Sequence, residues 1–189
     1  VTELTGAAEH VALCGEVPDR ADILLIAPAT ANTISKMACG IDDTPVTTFA
    51  TTAIGTGIPV IVVPAMHGSI YNHPIVRENV GRLKAIGVRF VGPVMRGTKA
   101  RMADDGEIVA EVVRIISGSP LKGKKVAIIS GGFSAPWDDV RSIASKASGE
   151  TGIALATEAY ERGAEVLLVH AGTADGPSFL HDTRADTVD

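Results

Sequence analysis

Two short, uninterrupted apolar runs, Ile23-Leu24-Leu25-Ile26 and Val60-Ile61-Val62-Val63, constrain this chain more than any other feature in it. Runs of that length bounded by turn residues read as strands buried on both faces, as in a parallel sheet covered by helices. Each runs straight into a loop of small and hydroxyl-bearing residues. The first is Ala27-Pro28-Ala29-Thr30-Ala31-Asn32-Thr33, the second Pro64-Ala65-Met66-His67-Gly68-Ser69-Ile70-Tyr71. Ligands of open α/β sheets bind at the carboxyl edge of the strands, where these loops lie. Ala, Gly and Thr there let a flat ligand approach the backbone. Either loop alone reads as an ordinary strand-to-helix turn; two similar loops on neighbouring strands read as a site.

Around these strands the pattern alternates. Strand 22–27 is followed by helices over 31–39 and 45–54, then by strand 59–64. A helix over 74–86 is started by Pro74 and stopped by Gly87. Strand 88–92, a loop and an amphipathic helix over 106–117 follow. Residues 118–124 are rich in Gly, Ser, Pro and Lys and read as a linker. The alternation then restarts with strand 125–130, Gly131-Gly132, a long polar loop, helix 150–162 and strand 165–170. Strand, crossover helix and strand in that order imply a right-handed βαβ unit. The chain begins at Val1 and ends at Asp189, and reads as two α/β segments, the first lacking its start and the second its end.

Aromatic residues make up only 4% of the chain against 46% apolar residues overall, so the core must be aliphatic, which suits parallel strands under helices. The net charge of −5, without a basic cluster, argues against nucleic acid or a membrane surface as partner. No apolar run approaches the roughly 20 residues that span a bilayer. The two cysteines, Cys14 and Cys39, lack metal-ligand spacing and fit a reducing, cytoplasmic setting.

His10 sits among apolar neighbours, the usual setting of a structural histidine. His67 and His73 flank the second loop and are better placed to meet a ligand; no carboxylate or cysteine lies at ligand spacing, so no metal is expected. Asp42-Asp43 reads as a helix stop and the cap of the next helix, and Cys39 as a small buried residue. Gly131-Gly132 is the first half of a phosphate-cradling turn without the rest of a dinucleotide fingerprint. Ser148-Gly149 opens a helix whose amides suit an anion, and Arg141 offers a charge-assisted bond to carboxylate or phosphate. A solvated loop with a capped helix explains these last residues equally well.

The stretch from Asp22 to Gly40 (DILLIAPATANTISKMACG) together with PAMHGSIYNHP resembles the flavin-dependent cysteine decarboxylases. Within that family it is most similar to the bifunctional flavoproteins of coenzyme A biosynthesis, in which a phosphopantothenoylcysteine decarboxylase is fused to a phosphopantothenate–cysteine ligase. The segment from Gly131-Gly132 through Asp138-Asp139-Val140-Arg141 to Ala147-Ser148-Gly149 resembles the start of the ligase half.

The resemblance implies a flavodoxin-like FMN-binding domain over 1–117, a linker over 118–124, and the start of a Rossmann-like ligase domain over 125–189. It implies that Ala27, Pro28, Ala29, Thr30, Asn32, Ala65 and Met66 border FMN. His10 then falls where the family keeps its catalytic histidine, and His67, Lys99 and Arg101 become the substrate contacts. In the ligase half, Gly131, Gly132, Arg141, Ser148 and Gly149 fall where substrate or nucleotide binds. CTP with Mg2+, phosphopantothenate, cysteine and phosphopantothenoylcysteine are the implied small molecules, and a trimer-based homo-oligomer the implied assembly. The uncharged Thr/Ala-rich stretch at 46–53 suits such a contact.

The chain also departs from the family. His67 and Tyr71 replace an Asn and a Trp, and the loop holding Lys99 and Arg101 lacks the usual flap cysteine. Ser145 and Glu150 stand where the ligase half keeps Asn and Lys. A non-catalytic flavin-binding or regulatory member of the same fold is therefore the competing expectation. A nicotinamide-dependent oxidoreductase would need a glycine fingerprint with an acidic residue about 20 positions on, which this chain lacks.

Overall fold

The structure, a computed structural model, describes residues 8–132 and 134–184. The chain forms two compact units, Val1–Ile108 and Val109–Asp189.

In the first unit a short helix α1 (Glu9–Cys14) precedes β1 (Leu24–Ala29), α2 (Ala31–Cys39), α3 (Pro45–Gly55) and β2 (Val60–Pro64). Then come β3 (Met66–His67), α4 (Gly68–Tyr71), α5 (Pro74–Ala85), β4 (Arg89–Phe90), β5 (Val94–Arg96) and β6 (Lys99–Arg101). The parallel sheet has the order β1-β2-β4, with Leu24 opposite Val60 and Ile61 opposite Arg89. A second, antiparallel sheet has the order β3-β6-β5. The core packs Ile26, Ile34, Ala50, Ala53, Val62 and Leu83 between sheet and helices.

Local chemistry fixes the helix ends. The Thr30 hydroxyl accepts a bond from the Thr33 amide at the start of α2, and Gly40 closes that helix at φ 67°. The left-handed conformation there costs glycine little. Thr44 and Thr47 form a reciprocal capping box ahead of α3, with Pro45 in its first turn. The cap is thus Thr44, not the preceding aspartates: Asp43 pairs with Lys36 at 2.8 Å and Asp42 accepts from the Thr48 hydroxyl.

In the second unit the helix α6 (Asp105–Ile116), which begins in the first, leads to β7 (Lys125–Ser130). A hairpin of β8 (Ser134–Pro136) and β9 (Ser142–Ala144), helix α7 (Glu150–Glu161), β10 (Glu165–His170) and β11 (His181–Arg184) complete it. Its sheet is parallel, in the order β11-β10-β7. β7 and β10 pair over six residues, from Lys125–Glu165 to Ser130–His170. Arg114 closes the far end of α7, donating to the carbonyls of Tyr160, Gly163 and Ala164 while its guanidinium lies 4.4 Å from the Tyr160 ring.

The parallel α/β class expected for both segments is what the structure has. Four further local expectations are corrected. β2 is buried along its whole length, but β1 is buried only at Ile26 and Ala29 and exposes Leu25 by 41%. β1 also runs two residues later than expected, because its pairing continues to Ala29 opposite Pro64. Cys39 is exposed at the end of α2, whereas Cys14 is buried. The polar loop after Gly131-Gly132 contains the β8–β9 hairpin, a pairing that local composition does not announce.

Candidate active site

The geometry of the site begins with a slip in register. Ile26 pairs with Val62, but the next pair is Ala29 with Pro64, so β1 spends one residue more than β2. The extra residue is a bulge at Ala27-Pro28, the device by which a strand re-aims its backbone beside a binding site. Both bulge residues are exposed and face a cleft of about 420 Å³. The cleft's floor is Leu24, Leu25 and Ile26, and its walls are Leu13 from α1, Thr33 from α2, and Pro45, Val46 and Phe49 from α3. Its size falls within the range of small-molecule sites, roughly 300–1,000 Å³.

His10 belongs to the same region. Its ring meets Phe49 edge-on, with centroids 6.4 Å apart and planes at 80°, and Phe49 lines the cleft. Nδ1 of His10 is buried without a hydrogen-bond partner among the described residues. A buried polar atom left unpaired is costly.

The two small-residue loops meet directly: the Ala65 amide donates to the Ala29 carbonyl at 3.0 Å. Thr30 is exposed, yet its hydroxyl already serves α2 as cap; Asn32 is exposed on the first turn of that helix. Met66 is half-buried against the core. His67 accepts from the Ser69 amide through Nδ1 at 3.4 Å, with the Ser69 hydroxyl at 2.8 Å. With Nδ1 used as an acceptor, the neutral ring carries its proton on Nε2, which becomes a donor. His73 is likewise occupied, capping α5 through a bond from the Ile75 amide at 3.3 Å.

Register brings His67 opposite Lys99, while Arg101 lies opposite Val94. The three proposed substrate contacts therefore share one small sheet. That sheet is held to the His67 loop by a 2.7 Å bond from the Gly68 amide to the Thr98 carbonyl. A Cβ on Gly68 would lie 2.7 Å from that oxygen, so only glycine permits the approach.

In the second unit Gly131, Gly132, Ser148 and Gly149 converge at the carboxyl ends of β7 and β10. Added Cβ atoms at Gly131 and Gly132 would press on the Ala171 amide and the Ala147 carbonyl, each 2.7 Å away. At Gly152 and Gly172 they would collide with Ser130 and with the Ser148 carbonyl. His170, fully buried, ends β10 beside this cradle. Arg141 is placed differently: it closes the β8–β9 hairpin and pairs with Asp138 at 2.5 Å. The Arg141 guanidinium, with the amides of Val140 and Arg141, holds the Asp138 carboxyl below the usual carboxylate range.

Sequence reasoning missed Leu13, Val46 and Phe49 as cleft walls, and Gly152 and Gly172 in the cradle. Phe49 carried a faint signal as the single aromatic of a Thr/Ala-rich helix. Among the described residues no cluster of three or more His, Cys, Asp or Glu is placed to hold a metal. No described helix is long and apolar enough to cross a membrane.

A parallel α/β unit with a cleft at a bulged strand edge has the geometry in which open sheets bind small molecules. The chain belongs to the flavoprotein family, whose pattern matches residues 2–117. Residues 121–187 match the C-terminal domain of the DNA/pantothenate metabolism flavoproteins.

The chain is 48% identical over 182 residues to the coenzyme A biosynthesis bifunctional protein CoaBC of Thermococcus kodakarensis, covering 96% of this chain and 45% of that protein. It is 34% identical over 187 residues to the CoaBC of Methanocaldococcus jannaschii, with 98% and 45% covered. A cysteine/cysteine sulfinic acid decarboxylase from an unknown prokaryote is 42% identical over 176 residues, 87% of this chain and 47% of that one. The chain thus spans about half the length of these relatives. Among solved structures, the FMN-dependent cysteine decarboxylase SpaF is 30% identical with a TM-score of 0.48, covering 60% of this chain and 61% of that one.

Proposed function

We propose that the protein containing this chain decarboxylates phosphopantothenoylcysteine with FMN, and that its second unit begins the ligase that makes this substrate from phosphopantothenate and cysteine. The observation that carries the reading is the cleft at the Ala27-Pro28 bulge, with the unpaired Nδ1 of His10 beside it, in a chain of the flavoprotein family. The residues present suit a flavin. Ala27 and Pro28 leave the backbone open to a flat ring, the apolar floor and Phe49 shield it, and Thr33 gives a hydroxyl at the rim.

Bound there, FMN would supply a two-electron acceptor that borrows electrons from the substrate cysteine and gives them back after carbon dioxide leaves, so that the net reaction is decarboxylation without redox change. The protein's own residues do the rest. His10 exchanges a proton with the substrate as general base. His67 donates from Nε2 to the substrate carboxylate, and Lys99 and Arg101 attract its anionic end. The apolar cleft keeps water from the reacting centre.

The same reading assigns 1–117 to the decarboxylase domain, 118–124 to a linker and 125–189 to the ligase domain. Gly131, Gly132, Ser148 and Gly149 then meet CTP or phosphopantothenate, with Mg2+ accompanying the nucleotide, and Arg141 reaches the ligand from its hairpin. A trimer-based homo-oligomer in the cytoplasm completes it. The test is carbon dioxide release from phosphopantothenoylcysteine by the FMN-loaded, full-length protein. Release supports the reading. A yellow protein that turns over neither this compound nor free cysteine would favour the non-catalytic flavin-binding alternative.

A further inference from the structure

Hairpin β5–β6 has two unlike faces. Met95, Ala100 and Met66 fall in one cross-strand row, and Ala100 in its centre is 1% exposed. The adjacent row is Arg96, Lys99 and His67, all exposed. Cross-strand partners share a face, with Cβ atoms about 4.5–5.5 Å apart. Arg101, two residues along β6 from Lys99, lies on the same face. The turn is Gly97-Thr98, with Gly97 at φ 60°, the Gly-first chemistry of a tight two-residue hairpin. Arg96 and Lys99 are thus fixed as the pair that closes it.

Like charges directly opposite one another destabilise a sheet. Among the described residues, neither Arg96 nor Lys99 nor Arg101 has an ion-pair partner. The next carboxylates, Asp104 and Asp105, come after the strand has ended. Two like charges held in register without a counter-ion are relieved by a multivalent anion. A guanidinium beside an ammonium suits a phosphate monoester, the first as a bidentate fork and the second as a point charge.

We propose that Arg96, paired across the hairpin with Lys99, grips the phosphate of the substrate, so that this hairpin selects phosphorylated over unphosphorylated substrates. The inference rests on the decarboxylase reading and adds to it a residue and a selectivity. His67, at the other end of the same row, is left for the carboxylate. One small sheet thereby holds both anionic ends of a substrate, with the anchor of the sheet set by Gly68.

The experiment compares phosphopantothenoylcysteine with pantothenoylcysteine as substrates of the FMN-loaded, full-length protein and its Arg96→Gln and Arg96→Lys variants. In Arg96→Gln the preference for the phosphorylated compound, taken as the ratio of kcat/KM values, falls about tenfold or more through KM. Arg96→Lys restores part of it, since the charge returns without the fork. An unchanged ratio in Arg96→Gln, with or without a general loss of activity, overturns the hairpin assignment alone. Wild-type protein that releases carbon dioxide from neither compound overturns the decarboxylase reading and this assignment with it.

Discussion

β1 and β2 are hydrogen-bonded neighbours built from near-identical aliphatic runs, yet they do different work. Every residue of β2 is buried, with Ile61, Val62 and Val63 at 0% exposure. β1 buries Ile26 and Ala29 and turns its remaining length towards an open cleft. The divergence is present before the register slips: Leu25 is already 41% exposed at the cleft, because β1 is the edge strand and β2 the central strand of the order β1-β2-β4. Leu24, Leu25 and Ile26 floor the cleft, the bulge at Ala27-Pro28 extends its lining, and β2 stays in the core. Apolar sequence therefore states that a strand belongs to the sheet, and its place in that sheet, at the edge or in the centre, states how much of it is open to a ligand.

The sharpest way to break this division is to change His10, the proposed acid–base group, whose ring packs on the cleft wall Phe49. His10→Asn is expected to lower kcat by about 10²–10⁴-fold, the usual range for a lost acid–base group, while FMN content and KM stay close to wild type. Steady-state kinetics with flavin absorbance on the same samples checks it. Normal turnover would remove His10 from the chemistry and leave it as a packing partner of Phe49.

Next comes the strand pair itself. Ile61→Ala is expected to cost about 2–5 kcal/mol of stability, the range for a fully buried aliphatic truncation. Leu25→Ala, at the half-open position, should cost less than about 1.5 kcal/mol, because much of that side chain is not removed from water on folding. Chemical denaturation of both variants tests the contrast. Equal losses would mean that β1 is as much a core strand as β2.

The smallest effect concerns Thr30, whose hydroxyl bonds to the Thr33 amide. Thr30→Ala should cost about 1 kcal/mol, the usual value of a helix cap, with FMN affinity nearly unchanged. A large drop in FMN affinity, measured by flavin fluorescence titration, would show that the hydroxyl serves the ligand more than the helix.

Much of this molecule can be read from its sequence, because the apolar runs and helix signals are local. β7 and β10 fall on the expected residues, and α2 from Ala31 to Cys39 does as well. The small-residue loop after β1 falls at the cleft, whereas no residue of the loop after β2 lines it. What escaped depends on distant partners. The bulge exists only in the register of β1 against β2. Phe49 and Leu13 become cleft walls through packing of α1 and α3. The row of Arg96, Lys99 and His67 needs two turns and a third strand before it forms. Cys39 was misjudged for a similar reason: its helix turns that position outwards, and no local pattern fixed the face.

The measurement that bears most directly on the division between the two strands is the flavin content of purified full-length protein and its Ala27→Trp variant. Ala27 is exposed at the cleft, so a large side chain there fills the ligand's place without disturbing the buried core. The expected result is a yellow wild-type protein with FMN near one per chain, and a colourless variant whose far-ultraviolet circular dichroism and cofactor-free thermal midpoint match those of the wild-type apoprotein. A variant that keeps its full complement of FMN, or a wild type that takes up none, would contradict the assignment of the β1 cleft as the flavin site.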